Sequence, residues 1–452
     1  MISHGICRGN VASSTVTQAP SSPNSSPGPV PRPGSAQYTR SPSALQVALA
    51  GMAALAAAMG VGRFAFTPLL PLMLRDGVVD IATGSWLATA NYAGYLAGAL
   101  LYMALPWMGR RWGAAPGNAA LVRGGLVATA LLTAALALPW PAAWPLLRLL
   151  AGVASALVFL GTSNWCMGRL AHLGRPVLAG LIFCGPGLGI VCTGLPVSAM
   201  VAAHWSAAAG WATFAVLAAL LCAMAWRVFR GAEAPAGASG PAMAASASAA
   251  ASALPAPTAA SQRALLALAY GLAGLGYIVT ATFLPVIARA ALPAGSPWPD
   301  LFWPMFGAGV ALGALLSTRI GPARDRRLLL AGAYLLQAAA IGLGVIWPGP
   351  AGFALGSLLL GLPFTAITFF ALYEARRQWP QAGARFTGLL TVLYGLGQIA
   401  GPPMAALLLA RAGSPAQGFD WALGVAVVAL VLGAALYGVM AWRWQLAPAV
   451  RR

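Results

Sequence analysis

A chain of 452 residues that is 60% hydrophobic and only 7% charged cannot build a soluble surface, for which about 25% charge is usual. The formal charge of +19 would point to a nucleic-acid partner in a soluble protein. Here all 26 basic residues are arginines set among apolar runs, so the charge reports membrane orientation and nucleic acid is excluded as a partner. With no lysine there is no GxxxxGK[ST] phosphate loop, which argues against built-in ATP drive.

The chain opens on a Ser/Pro-rich stretch, residues 1–43, with no apolar run that a signal peptide would need; it reads as a disordered tail. Apolar runs of about twenty residues follow, each long enough for a hydrocarbon layer of about 30 Å. They fall near 45–74, 81–105, 118–139, 142–168, 176–202 and 205–228, and again near 264–290, 300–320, 328–347, 350–373, 386–410 and 419–442. Between the two sets lies an Ala/Ser/Pro-rich stretch, 231–262, expected to be a cytoplasmic linker, and residues 444–452 form a C-terminal tail. The expected architecture is therefore an all-α polytopic membrane protein of twelve transmembrane helices: a six-helix bundle over 44–230 and a second over 263–443.

Arginine placement supports the count. Arg75, Arg289 and Arg411 fall on one side, Arg63 and Arg148 lie inside spans, and the remaining 21 sit on the side of the N-terminus. The positive-inside rule then puts both termini in the cytoplasm. The halves also repeat. Shifted by 214 positions, "GVGRFAFTPLLPLMLR" (Gly60 to Arg75) falls on "GLGYIVTATFLPVIAR" (Gly274 to Arg289); shifted by 215, Gly94 and "GALL" (Gly98 to Leu101) meet Gly309 and "GALL" (Gly313 to Leu316). Shifted by 208, "GLIFCGPGLG" (Gly180 to Gly189) meets "GLLTVLYGLG" (Gly388 to Gly397). Duplicated halves are an architecture of transporters, with the substrate near the midplane between them.

Six plus six spans, a long middle loop and paired halves resemble the major facilitator superfamily, and "GVGRFAFTPLLPLM" resembles its bacterial YbfB-type branch. "RLLAGVASA" (Arg148 to Ala156) is similar to the superfamily's fourth-span pattern, and "GLIFCGPGLG" to the Gly-Pro pattern of the fifth span, which is associated with exporters. The loop motif after span two keeps its glycine and the basic pair Arg110 and Arg111, candidate gating residues, but Tyr102 stands where the family places an aspartate and Ser317 where its second copy would have one. The resemblance implies that spans 1, 4, 7 and 10 line a central cavity, which would bring Arg63 and Arg148 toward one space.

An arginine inside a span is costly, about 2.5–3.5 kcal/mol on insertion scales, and must face a cavity, a polar partner or water. Arg63 and Arg148 are therefore candidate substrate ligands, the alternative for each being a structural role; for Arg63 that role would be pairing with helix carbonyls freed by Pro68 and Pro71. All seven acids (Asp76, Asp80, Glu233, Asp300, Asp325, Glu374 and Asp420) lie in loops or at span ends. Unpaired positive charge favours a carboxylate or phosphate and disfavours lipophilic cations. Protons are the candidate coupling ion; with no mid-membrane carboxylate to relay them, the substrate itself would carry the proton. Glu374, three residues before Arg377, is either a gate or coupling residue or half of an interfacial ion pair.

Secondary candidates for the substrate path are Asn91, Tyr92, Tyr277, Tyr394 and Gln398, with Tyr277 at the repeat position of Arg63; an isolated Tyr or Asn in a span more often serves packing or interhelical glue. The five cysteines have no CxxC or metal spacing and read as small core residues, and no cofactor or metal is expected. His4, His172 and His204 all lie outside the middle of the spans, so an intramembrane enzyme has little to work with. The expected function is secondary transport of a small, anionic organic solute by a monomer in the bacterial inner membrane. The alternatives are an exporter of drugs or of neutral or zwitterionic metabolites, and a receptor that keeps the fold without flux.

Overall fold

The computed structural model describes residues 42–113, 115–230, 256–320, 325–379 and 383–445. Its twelve long helices are α1 (Ala44–Arg75), α2 (Ile81–Trp112), α3 (Asn118–Ala135), α4 (Pro141–His172), α5 (Pro176–Ala202) and α6 (Ala207–Trp226), followed by α7 (Ala256–Ala291), α8 (Trp298–Ser317), α9 (Arg326–Ile346), α10 (Pro350–Gln378), α11 (Gly383–Arg411) and α12 (Pro415–Arg443). No strand occurs among the described residues. Eleven of these helices contain a stretch long and apolar enough to cross a membrane. The other, α2, is long enough at 32 residues, but Thr83, Ser85, Asn91 and its tyrosines dilute it.

Local chemistry sets the ends. Ser43 starts α1 with a capping box shared with Gln46, and the side chains of Asp80, Ser206, Asp325 and Ser414 cap α2, α6, α9 and α12. Gly113, at φ +79°, stops α2 beyond its basic pair. One expected boundary moves: α7 begins at Ala256, inside the stretch assigned to the linker. Its first turn, Ala-Pro-Thr-Ala, is compatible with a helix start because proline is tolerated there. The rest of the expected linker, 231–255, and residues 1–41 and 446–452 of the two tails lie outside the described residues.

The helices form two pseudosymmetric six-helix bundles, and the sequence repeat coincides with places where backbones touch. A Cβ on Gly94 of α2 would lie 1.9 Å from the Leu149 carbonyl oxygen of α4; on its repeat partner Gly309 of α8 it would lie 2.3 Å from that of Leu358 in α10. Without a hydrophobic driving force between helices in lipid, such close approach supplies the dispersion contacts that hold a bundle together.

The bundles meet where α1 packs on α7, α2 on α11 and α5 on α8. Thr67 of α1 donates to the Ala281 carbonyl of α7 at 2.7 Å, and the Tyr92 hydroxyl of α2 pairs with that of Thr282 at 2.9 Å. The Gly-Pro stretch of α5 serves packing: a Cβ on Gly185 would lie 2.3 Å from the Met52 carbonyl of α1, and one on Gly187 2.5 Å from the Ala311 nitrogen of α8.

Candidate functional site

Helix α1 is not continuous. It runs as an α-helix to Leu55, widens into a π-helical turn over Ala56–Val61, breaks over residues 62–65 and resumes at Phe66. Pro68 explains part of this, because its ring cannot sit over the carbonyl of Phe64 in a regular helix and it brings no N–H. The Phe64 carbonyl instead accepts from Thr67 at 3.2 Å, and the Phe64 N–H reaches back five residues to Met59 at 3.0 Å. Pro71, inside the resumed helix, is carried without a break.

Arg148, on α4 and 1% exposed, answers this break. Its guanidinium donates to the carbonyls of Gly62 at 3.4 Å and Arg63 at 3.3 Å and lies 4.8 Å from the Phe66 ring centroid. A cation here faces the negative end of the first α1 segment. Asn91 on α2 strengthens the same corner, its amide donating to the Arg148 carbonyl at 2.9 Å and, at 3.5 Å, to that of Gly62. Arg148 and Asn91 thus bind backbone in this structure.

Arg63 sits in the break itself and points the other way. It is 3% exposed, and its Nη2 donates to Gln398 Oε1 of α11 at 2.9 Å. Gln398 in turn donates through Nε2 to the Tyr277 hydroxyl of α7. One amide therefore joins the arginine of the first bundle to its repeat-related tyrosine in the second. The guanidinium carbon lies 4.0 Å from the Tyr95 ring centroid, 5.1 Å from Tyr92 and 5.4 Å from Phe64, an aromatic cage that attracts a desolvated cation. Two of its nitrogens, Nε and Nη1, are buried without a hydrogen-bond partner among the described residues. No carboxylate there pairs with it.

Tyrosines wall the far side. Tyr394 of α11 stacks on Tyr270 at 4.7 Å and on Tyr277 at 6.0 Å, with Phe364 of α10 edge-on to Tyr277 at 5.0 Å. Sequence reasoning missed Tyr95, Tyr270 and Thr282. Helical spacing could have found the first two: Tyr95 follows Asn91 by four residues and Tyr270 precedes Tyr277 by two turns, each on the same helix face.

The remaining candidates lie elsewhere. Glu374, near the arginine-rich end of α10 and fully buried, pairs with Arg377 at 3.0 Å and accepts from Gln378, which is the local ion pair its spacing allowed. Arg110 and Arg111 are exposed at the end of α2. Tyr102, in the place of the superfamily's aspartate, donates to Asn118 at 2.7 Å and accepts from Asn164 at 2.8 Å, tying α2, α3 and α4 together.

The sequence matches over residues 55–437 the family described as "uncharacterised MFS-type transporter YbfB". No curated protein matches the chain. Among solved structures, a point mutant of the nucleoside transporter NupG aligns at a TM-score of 0.61 and 15% identity, covering 89% of this chain and 100% of NupG. That likeness is one of fold. With a match across both bundles and the repeated helix contacts described above, this chain belongs to the YbfB-type family of the major facilitator superfamily of membrane transporters.

Proposed function

We propose that this transporter moves a small organic anion across the bacterial inner membrane by alternating access, acting as a monomer with both termini in the cytoplasm. The orientation rests on the arginine asymmetry, 21 on one side against three on the other. The anionic substrate rests on Arg63, a buried cation between the bundles with two unpartnered nitrogens and a neutral amide as its hydrogen-bond acceptor. Substrate anion oxygens accepting from Nε and from Nη1, which face different sides of the guanidinium, would complete the charge-assisted hydrogen bonding that the protein leaves open. Gln398 and Tyr277, reached from the other bundle, report occupancy across the interface. Arg148 and Asn91 then position Arg63 rather than touch the substrate. Proton coupling, in this reading, uses a proton carried by the substrate.

A second reading is a neutral, planar solute such as a nucleoside, favoured by the stacked tyrosines and by the solute in the name of the NupG relative. Counterflow in proteoliposomes separates the two. Anionic, neutral and cationic metabolites are screened with the wild type beside Arg63→Ala and Arg63→Lys. The anion reading expects flux of anions only, abolished by Arg63→Ala and impaired by Arg63→Lys. Transport of neutral or cationic solutes that survives Arg63→Ala overturns it.

A further inference from the structure

On the outer flank of the first bundle, α3 and α6 leave a groove of about 640 Å³ between them. Along its length the walls are apolar, formed by Val127, Leu131, Ala219 and Ala223, and it ends at Trp226, Arg227 and Arg230. The surrounding surface is lipid-facing in character: Leu131, Val216, Leu220 and Met224 are each between 59% and 70% exposed. One helical turn before Val127, on the same face of α3, stands Arg123, whose guanidinium carbon lies 5.8 Å from the Trp226 ring centroid and whose Nε is buried without a hydrogen-bond partner. None of these three arginines forms an ion pair among the described residues.

We propose that this groove binds one anionic glycerophospholipid, an acyl chain lying along α3 and α6 and the phosphate held by Arg123, Arg227 and Arg230. Within the hydrocarbon an apolar groove fills with hydrocarbon, since water there would find no polar partners. At its end, three guanidiniums without carboxylates favour a headgroup with net negative charge over a zwitterionic one, whose own amine already compensates its phosphate. Trp226 stands between the two regions, where an indole's mixed character suits the interface.

The test is native mass spectrometry of the full chain with added phosphatidylglycerol, phosphatidylcholine or inorganic phosphate. The wild type is expected to retain phosphatidylglycerol over phosphatidylcholine, and Arg227→Gln/Arg230→Gln to lose that retention by roughly tenfold or more. Ala223→Phe, which fills the groove and keeps every charge, is expected to lose it as well, and it serves as the deciding variant should the arginine pair prove unable to fold. Equal retention of both lipids by the wild type, undiminished phosphatidylglycerol on the folded variants, or displacement of the lipid by inorganic phosphate alone would each overturn the proposal.

Discussion

Arg63 and Arg148 are both buried span arginines, yet replacing each with leucine should have opposite consequences. Arg63→Leu removes one charge-assisted hydrogen bond, about 1.5–3 kcal/mol, and contacts with aromatic rings, about 1–2 kcal/mol. It also removes two buried nitrogens that have no partner, each costing about 1–3 kcal/mol in the native protein. Gln398 Oε1 is left short of a donor, about 1–3 kcal/mol, so the opposing contributions come close to cancelling and the net loss of stability is expected to stay within about 2 kcal/mol. Arg148→Leu has a smaller offset, since only one of its nitrogens lacks a partner. It breaks two long bonds, about 1 kcal/mol each, loses the Phe66 contact, about 1 kcal/mol, and leaves the Gly62 and Arg63 carbonyls short of a donor. A loss of about 3–5 kcal/mol follows even after relief of its single unpartnered nitrogen, Nε. Thermal unfolding in one detergent, read by tryptophan fluorescence, should place Arg63→Leu near the wild type and Arg148→Leu well below it. Counterflow should fail in Arg63→Leu although the protein is folded. If Arg63→Leu is destabilised as much as Arg148→Leu while its folded fraction still transports, the division of roles between the two arginines is wrong.

Three further outcomes are expected. Gly94→Ala and Gly309→Ala should each destabilise by about 3 kcal/mol or more, because the new methyl meets a fixed carbonyl, whereas Gly124→Ala and Gly332→Ala, with nothing within 4 Å, should express and unfold like the wild type; equal tolerance at all four would refute the close helix approach. Tyr102→Phe should cost about 1 kcal/mol through two lost interhelical bonds and leave flux intact, so abolished transport in a stable variant would restore a gating role to that position. At Asp325, burial works against the carboxylate, but hydrogen bonds from Arg327 outweigh it and hold its pKa below the ordinary value of 3.8. A group with a depressed folded pKa stabilises above its unfolded pKa and loses that contribution as pH falls through the folded one. The melting difference between wild type and Asp325→Asn should therefore be full at pH 6 and shrink toward pH 3; a difference that stays constant would mean the carboxylate's charge contributes nothing.

The long helices and their duplicated order were legible in the sequence, because both depend on composition and spacing along one chain. A hydrocarbon layer demands long apolar helices whatever they pack against, and a repeat of glycines marks close backbone approach before the partner helix is known. Glu374 belongs to the same class: its partner is three residues away on its own helix. Only the tertiary structure separated Arg63 from Arg148. Both read as isolated cations in apolar runs, but which carbonyls a break in α1 exposes, and which guanidinium reaches them, depends on how α4 crosses α1. The bridge from Arg63 through Gln398 to Tyr277 joins residues up to 335 positions apart. No periodicity within a single helix encodes that meeting; it exists because the repeat brings the two bundles face to face and leaves an amide between an arginine and its symmetry-related tyrosine.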